Sequence, residues 1–211
     1  MSHGVEGGTS AVRLRAAGAD DAGTLARLMS DAISWGRLGE LGARFVTLLH
    51  RHIAESPFAV CLVAEDDSGV AGYIAVVTDT RAFHRDFLRR RGLAAAWAIL
   101  PSLRRPERLR VVLRGLRHFP AAPRDDPRAE AISFAVRRGV VTRGIGSALF
   151  RAAMAELAAR GVEVVKFATV EPTNETANAF YRKLGCELVR TEPFYRDSFV
   201  NVYFYRVGGS S

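Results

Sequence analysis

At 211 residues, 48% hydrophobic and 25% charged, the chain has the balance of a globular protein long enough to bury a core. It contains no run of about 18 uncharged apolar residues, which excludes a helical membrane span, and its first ten residues lack the basic start and apolar core of a signal peptide. The net charge is +8 and rests almost wholly on arginine, because Lys166 and Lys183 are the two lysines; an arginine preference of this kind is no argument for a nucleic-acid partner by itself.

Residues 1–10 read as a flexible leader and residues 208–211 as a frayed tail. Between them, residues 11–207 read as one domain. Val12 to Arg15 has the pattern of a short strand. Asp20 and Asp21 then open a helix with apolar positions at Leu25, Leu28, Met29 and Ile33. A second helix is predicted over about 40–53, with Leu41, Phe45, Leu48 and Leu49 on one side. Residues 58–65 form an apolar run typical of a buried strand. The turn chemistry of Asp66-Asp67-Ser68-Gly69 joins it to a strand over 70–77, making a hairpin.

The segment from about 81 to 128 breaks this pattern. It holds thirteen arginines against four acids, so it carries the excess positive charge of the whole chain. Two amphipathic helices are predicted in it, over 87–100 and 107–119, separated by Pro101 and Pro106. The α/β pattern then resumes. A strand over 131–136 leads through a glycine loop to a helix over 146–160. A strand over 162–170, a helix over 176–184 ending at Gly185, and strands over 187–191 and 199–206 follow. The order predicts an α/β (α+β) fold, one mixed sheet with helices packed on it and a helical insertion.

The chemistry is most legible in the glycine loop. Phe134-Ala135-Val136 is followed by Val141-Thr142-Arg143-Gly144-Ile145-Gly146-Ser147 and then an apolar helix. A helix start leaves its first N–H groups unpaired and carries partial positive charge, so it suits a phosphate. Glycine at 144 and 146 permits close backbone approach, and Arg143 adds charge. A glycine-containing strand-to-helix turn with no ligand would read the same way. About 28 residues later comes Asn174-x-x-Ala177-x-x-Phe180-Tyr181-x-x-x-Gly185.

The two motifs, in this order with a strand between them, resemble those of the GCN5-related N-acetyltransferase (GNAT) family, and the element order resembles that fold from about residue 12 to residue 206. The resemblance implies a central sheet that splays open, and an acetyl-CoA cosubstrate. Backbone N–H groups of Val141, Thr142, Arg143, Gly144, Ile145, Gly146 and Ser147 would line its pyrophosphate. The strand edge at Phe134 and Val136 would pair with the pantetheine arm, and Asn174 would bond to it or shape the next helix. Tyr181 would protonate the departing thiolate as general acid; a purely packing role beside Phe180 is the other reading. Val141 stands where the family has Arg or Gln, Thr142 where glycine is common, and Cys186 where an aromatic follows the last glycine.

For the general base, Glu171 at the end of the strand over 162–170 is the candidate carried forward, beside Glu130 and a water held by Thr169. The resemblance places Trp35, Arg37, Phe194 and Tyr195 around an acceptor pocket. The implied activity is acetyl transfer to a primary amine of a small molecule, such as an amino sugar or nucleotide-linked amino sugar; acetylation of a protein or peptide is the alternative. The basic insertion is open to three readings: a helical cap or homodimer surface, an electrostatic funnel for an anionic acceptor, or peripheral contact with an anionic membrane. No metal site is expected, since His50, His52, His84 and His118 show no ligand spacing, and no nucleic-acid partner is expected either. Cys61 and Cys186 show no paired spacing, and a cytoplasmic location is the expectation.

Overall fold

In a computed structural model, residues 12–32, 41–101, 125–137, 139, 144–171, 175–193 and 199–208 are described. The elements run β1 (Arg13–Ala16), a 3-10 turn (Ala19–Asp21), α1 (Ala22–Ala32), α2 (Ala43–Glu55), β2 (Ala59–Asp66), β3 (Gly69–Val77), α3 (Thr80–Ile99), β4 (Ala129–Val136), α4 (Ile145–Ala159), β5 (Val164–Glu171), α5 (Glu175–Lys183), β6 (Glu187–Pro193) and β7 (Phe199–Arg206). The order is the one the sequence predicts. The helix predicted over 107–119, Ile33 and both chain ends lie outside the described residues.

One seven-stranded sheet takes the order β1-β2-β3-β4-β5-β7-β6. Every neighbouring pair is antiparallel except β4 and β5, which run parallel. Alternation along β3 explains why the sheet is covered on both sides. Tyr73, Ala75 and Val77 join Leu25, Met29, Val46, Ile53, Phe83 and Phe87 in a core with α1, α2 and α3. Ile74 and Val76 point the other way, into a core with Leu149, Phe150 and Leu157 of α4, Phe167 of β5 and Tyr203 of β7.

The helix expected from residue 87 begins a full two turns earlier, at Thr80, immediately after β3. Asp79 caps it by accepting a hydrogen bond from the Ala82 N–H at 2.8 Å. Phe83 and Phe87, one turn apart, are buried against α2. The His52 ring lies between them, with centroids 5.0 and 5.2 Å away, and its Nε2 is 3.5 Å from the Asp86 carboxylate. The first part of the basic segment is therefore anchored in the core of the domain.

The β4–β5 junction sets the shape of the sheet. The two strands share register pairs at Ala129–Val165 and Glu130–Lys166, and none beyond. At the next step the β3–β4 register slips: Val76 faces Ala131 and Ala75 faces Ser133, so Ile132 is an extra residue in β4. A bulge bends its strand and raises the local twist. Here it turns β4 away from β5 directly after their last shared pair. Past it, the β5-facing edge of residues 131–136 has no strand partner among the described residues.

Charges clamp the closed end of this fork. The Lys166 ammonium lies 3.0 Å from Glu130 and 3.4 Å from Asp126. Asp126 also takes a bidentate pair of hydrogen bonds from Arg190 of β6, at 2.7 and 2.9 Å. Burial would raise the Asp126 carboxyl, whose side chain is 2% exposed, but Arg190 and Lys166 outweigh it and hold the group below its usual range. A carboxylate depressed in the folded state contributes stability above its unfolded pKa and loses it as pH falls through the folded value. Asp126→Ala is therefore expected to cost about 1–3 kcal/mol in urea unfolding at neutral pH. The difference from wild type should shrink on acidification below about pH 4. An unchanged unfolding midpoint at neutral pH would rule the clamp out.

Candidate active site

The fork between β4 and β5 brings together most of the described residues singled out in the sequence. Phe134 and Val136 lie on the stretch of β4 that pairs with β3 but not with β5, with Phe134 half-buried toward α4 and Val136 exposed. Opposite, β5 carries Phe167 immediately after its last pair with β4, and runs on to Glu171, whose backbone pairs with Phe199 of β7. The side chain of Glu171 lies outside the described residues, as do Val141, Thr142, Arg143, Asn174, Trp35, Arg37, Phe194 and Tyr195. Glu130 sits at the closed end of the fork in an ion pair with Lys166.

Helix α4 starts beside the fork. Gly144 is its N-cap at φ 103°, a left-handed conformation that costs a side chain strain and glycine nothing. Its carbonyl accepts the first helical bond, from the Ala148 N–H at 2.8 Å. The N–H groups of Ile145, Gly146 and Ser147 thus have no partner within the helix, and the positive end of its dipole is aimed out of the same turn.

Packing gives Gly146 a role of its own beside the one its motif suggests. A Cβ there would sit 3.2 Å from Cζ of Phe180 and 3.8 Å from Cζ of Phe134. Phe134 and Phe180 meet edge to face at 5.5 Å, bridging β4 and α5 across the fork. The missing side chain lets α4 come down onto this pair. The constraint is packing between three elements, whether or not an anion also uses the turn.

Tyr181, next to Phe180 on α5, is 7% exposed. Its ring lies 5.2 Å from Phe167 and 5.6 Å from Tyr203, so it stands over β5 where the strands begin to part. Burial pushes its phenol well above the ordinary range, with Cys186 and Tyr203 acting in the same direction. The group keeps its proton at neutral pH. Cys186 is buried beside it, and burial pushes its thiol up to about 12, which makes it a packing residue and not a nucleophile.

Two buried polar chains support this arrangement, and neither was evident in the sequence. In the first, the His50 Nδ1–H donates to the Val46 carbonyl at 2.8 Å, since a carbonyl can only accept. That leaves Nε2 to accept from the Tyr73 hydroxyl at 2.9 Å, and Tyr73 to accept from Ser133 of β4. Burial lowers the His50 pKa, which fits this neutral tautomer. The chain ties α2 through β3 to β4 one residue past the bulge. In the second, Asn178 of α5 accepts from Asn201 at 3.0 Å and from the Tyr203 hydroxyl at 2.9 Å, and donates to the Val170 carbonyl at 3.4 Å. It fastens α5 to β5 and β7 on the face that carries Tyr181. Its spacing of three from Tyr181 places both on one side of a helix, which was the available signal.

Gly146→Ala is expected to cost about 1–3 kcal/mol by overpacking against Phe180. Pairing it with Phe180→Leu should recover part of that loss, read from the four unfolding midpoints of a double-mutant cycle. Additive costs would show that the two residues do not compete for space.

Comparison with known proteins accords with this geometry. Residues 111–186 match the acetyltransferase (GNAT) family. No curated protein matches the sequence. Among solved structures, the fold is similar to an acetyltransferase of the GNAT family from Streptococcus pneumoniae (16% identity, 94% of this chain and 100% of that one, TM-score 0.58). It is also similar to Arabidopsis thaliana NAA60 (13%, 95% and 100%, 0.61). A third is the ribosomal-protein-S18-alanine N-acetyltransferase of Escherichia coli (12%, 95% and 97%, 0.56). The family match spans the second motif and the forked strand, and the rest of the described chain has the fold of the same group. The match to the acetyltransferase (GNAT) family rests on residues 111–186, and the described chain has the fold of these acetyltransferase structures.

Proposed function

We propose that the protein transfers an acetyl group from acetyl-CoA to a primary amine of a small molecule. The observation that carries the reading is a β4 edge with no strand partner among the described residues, beside a helix start: a strand edge suits an amide-bearing arm, and N–H groups at Gly146 and Ser147 with no partner within the helix suit a pyrophosphate. The cosubstrate supplies an acetyl group activated as a thioester. The chain's part is to hold and orient it. Phe134 and Val136 would line the arm, and Thr142, Arg143, Gly144 and Ile145 would complete the turn around the phosphates, with Val141 at its edge and Asn174 at the arm's far side.

Transfer forms the N–C bond of the new amide and breaks the C–S bond of the thioester. The amine must lose a proton and the departing sulfur must gain one. Tyr181 would donate to the sulfur, and burial keeps the phenol loaded for that purpose. Glu171 would take the amine proton, directly or through water. The reaction then balances with no redox step and no metal. Acetylation of a protein N-terminus is the second reading, favoured by fold likeness to the S18-alanine N-acetyltransferase. The arginine-rich composition of the segment between β3 and β4 supports an acidic or phosphorylated acceptor in either case.

The test is CoA release from acetyl-CoA with a panel of amines, including amino sugars, nucleotide-linked amino sugars, polyamines and short peptides. Tyr181→Phe should lower kcat about 100-fold or more while acetyl-CoA affinity changes little. With the wild type, kcat should show no alkaline loss from this group up to about pH 10, the ordinary phenol value. Turnover confined to peptides would select the second reading. If acetyl-CoA gives no thermal stabilisation at concentrations far above usual cofactor affinities, both readings fail.

A further inference from the structure

Helix α3 leaves one side uncovered, and that side has a definite chemistry. Arg85, Arg89, Leu93 and Trp97 follow one another at steps of four, with Leu100 three further on, so they form one line along the helix. All five are exposed: Leu93 by 85%, Trp97 by 73% and Leu100 by 51%. The opposite side, with Phe83, Phe87 and Ala95, is packed into the core. The helix is thus held rigidly with a basic first half and an apolar second half facing out.

The charge on this line is free to act outward. Arg90 is paired with Asp86 and Arg91 with Glu55, but neither Arg85 nor Arg89 has a carboxylate partner among the described residues. Asp86 is the one acidic residue of the helix, against arginines at 81, 85, 89, 90 and 91. Large exposed apolar side chains in a line are rare on a monomer surface without a partner. An acidic protein would satisfy the arginines but gain little from Leu93, Trp97 and Leu100. A second copy would bury the apolar line but set arginine against arginine. An anionic bilayer satisfies both halves: lipid phosphates meet the arginines, and the tryptophan and leucines enter the boundary between headgroups and chains.

We infer that this side of α3 docks the protein, lying flat, on an anionic phospholipid surface. No helix among the described residues is long and apolar enough to cross a membrane, so the contact is peripheral. The inference does not depend on which amine is acetylated.

The experiment is sedimentation of the full chain with vesicles of phosphatidylglycerol or of phosphatidylcholine, at several salt concentrations. Fluorescence of a Trp35→Phe variant runs alongside; there Trp97 is the remaining tryptophan. Binding should occur with phosphatidylglycerol and not phosphatidylcholine, weaken with salt, and shift Trp97 emission to shorter wavelength. Arg85→Gln with Arg89→Gln should weaken it about thirtyfold. Leu93→Ser with Trp97→Ser should abolish the bound fraction. Each pair is at exposed positions, and retention of the wild-type melting temperature checks that the fold survives. If the serine pair unfolds the chain, the arginine pair and the Trp97 emission still decide. Equal binding to both lipids, or none to phosphatidylglycerol, would overturn the inference. So would binding that survives the serine pair, which is attraction by charge alone. Self-association in lipid-free sedimentation velocity, lost in the serine pair, would assign the face to a second copy instead.

Discussion

The extra residue in β4 is the constraint on which the candidate site rests. A parallel pair of strands is ordinarily held along its length by evenly spaced hydrogen bonds, which leave no room for a ligand between them. Here the pairing stops after Glu130 and Lys166, and Ile132 bulges at once. The bend leaves backbone groups unsatisfied by the sheet, which is costly in a buried position. A molecule with amide groups of its own can satisfy them. The defect in the sheet and the candidate site are thus one feature.

Such an opening needs support on both sides. At its closed end, Lys166, Glu130, Asp126 and Arg190 draw β4, β5 and β6 together with opposite charges that water barely reaches at Asp126. Across the gap, Phe134 and Phe180 meet, and Gly146 lets α4 close over them. Behind β4, the His50–Tyr73–Ser133 chain holds the strand to α2. Behind β5, Asn178 holds α5 to Tyr203 and Asn201. These polar groups are fully engaged, and their directional bonds fix where each strand lies more sharply than apolar contact alone. Tyr181 inherits its place from that frame.

Much of this was readable from residue order. The alternation of apolar runs with turn residues gave the element sequence, because strand and helix periods differ and glycine and proline punctuate them. Of the motif residues Gly144, Gly146, Asn174 and Tyr181, the structure sets Gly144 and Gly146 at the start of α4 and Tyr181 on α5, beside the fork, while Asn174 lies outside the described residues. The packing at Gly146 was not legible, since a motif cannot say which side chain fills the space a glycine leaves. The ion pair of Glu130 was not legible, because its partner Lys166 is 36 positions away. The start of α3 was placed two turns late because arginines at 81 and 85 masked the helical spacing of Phe83 and Phe87.

The sequence by itself determined the mixed sheet, the glycine turn into α4 and the basic character of the segment after β3. Those depend on local periodicity, turn chemistry and composition, all of which are written along the chain. Tertiary structure alone decided where β4 leaves β5, because nothing in Ala131-Ile132-Ser133 marks a bulge; its position follows from the registers that β3 and β5 impose from either side. It alone decided which histidine is buried in a hydrogen-bonded chain and which arginines are left unpaired. Those outcomes depend on partners far away in sequence, and only packing brings them within bonding distance.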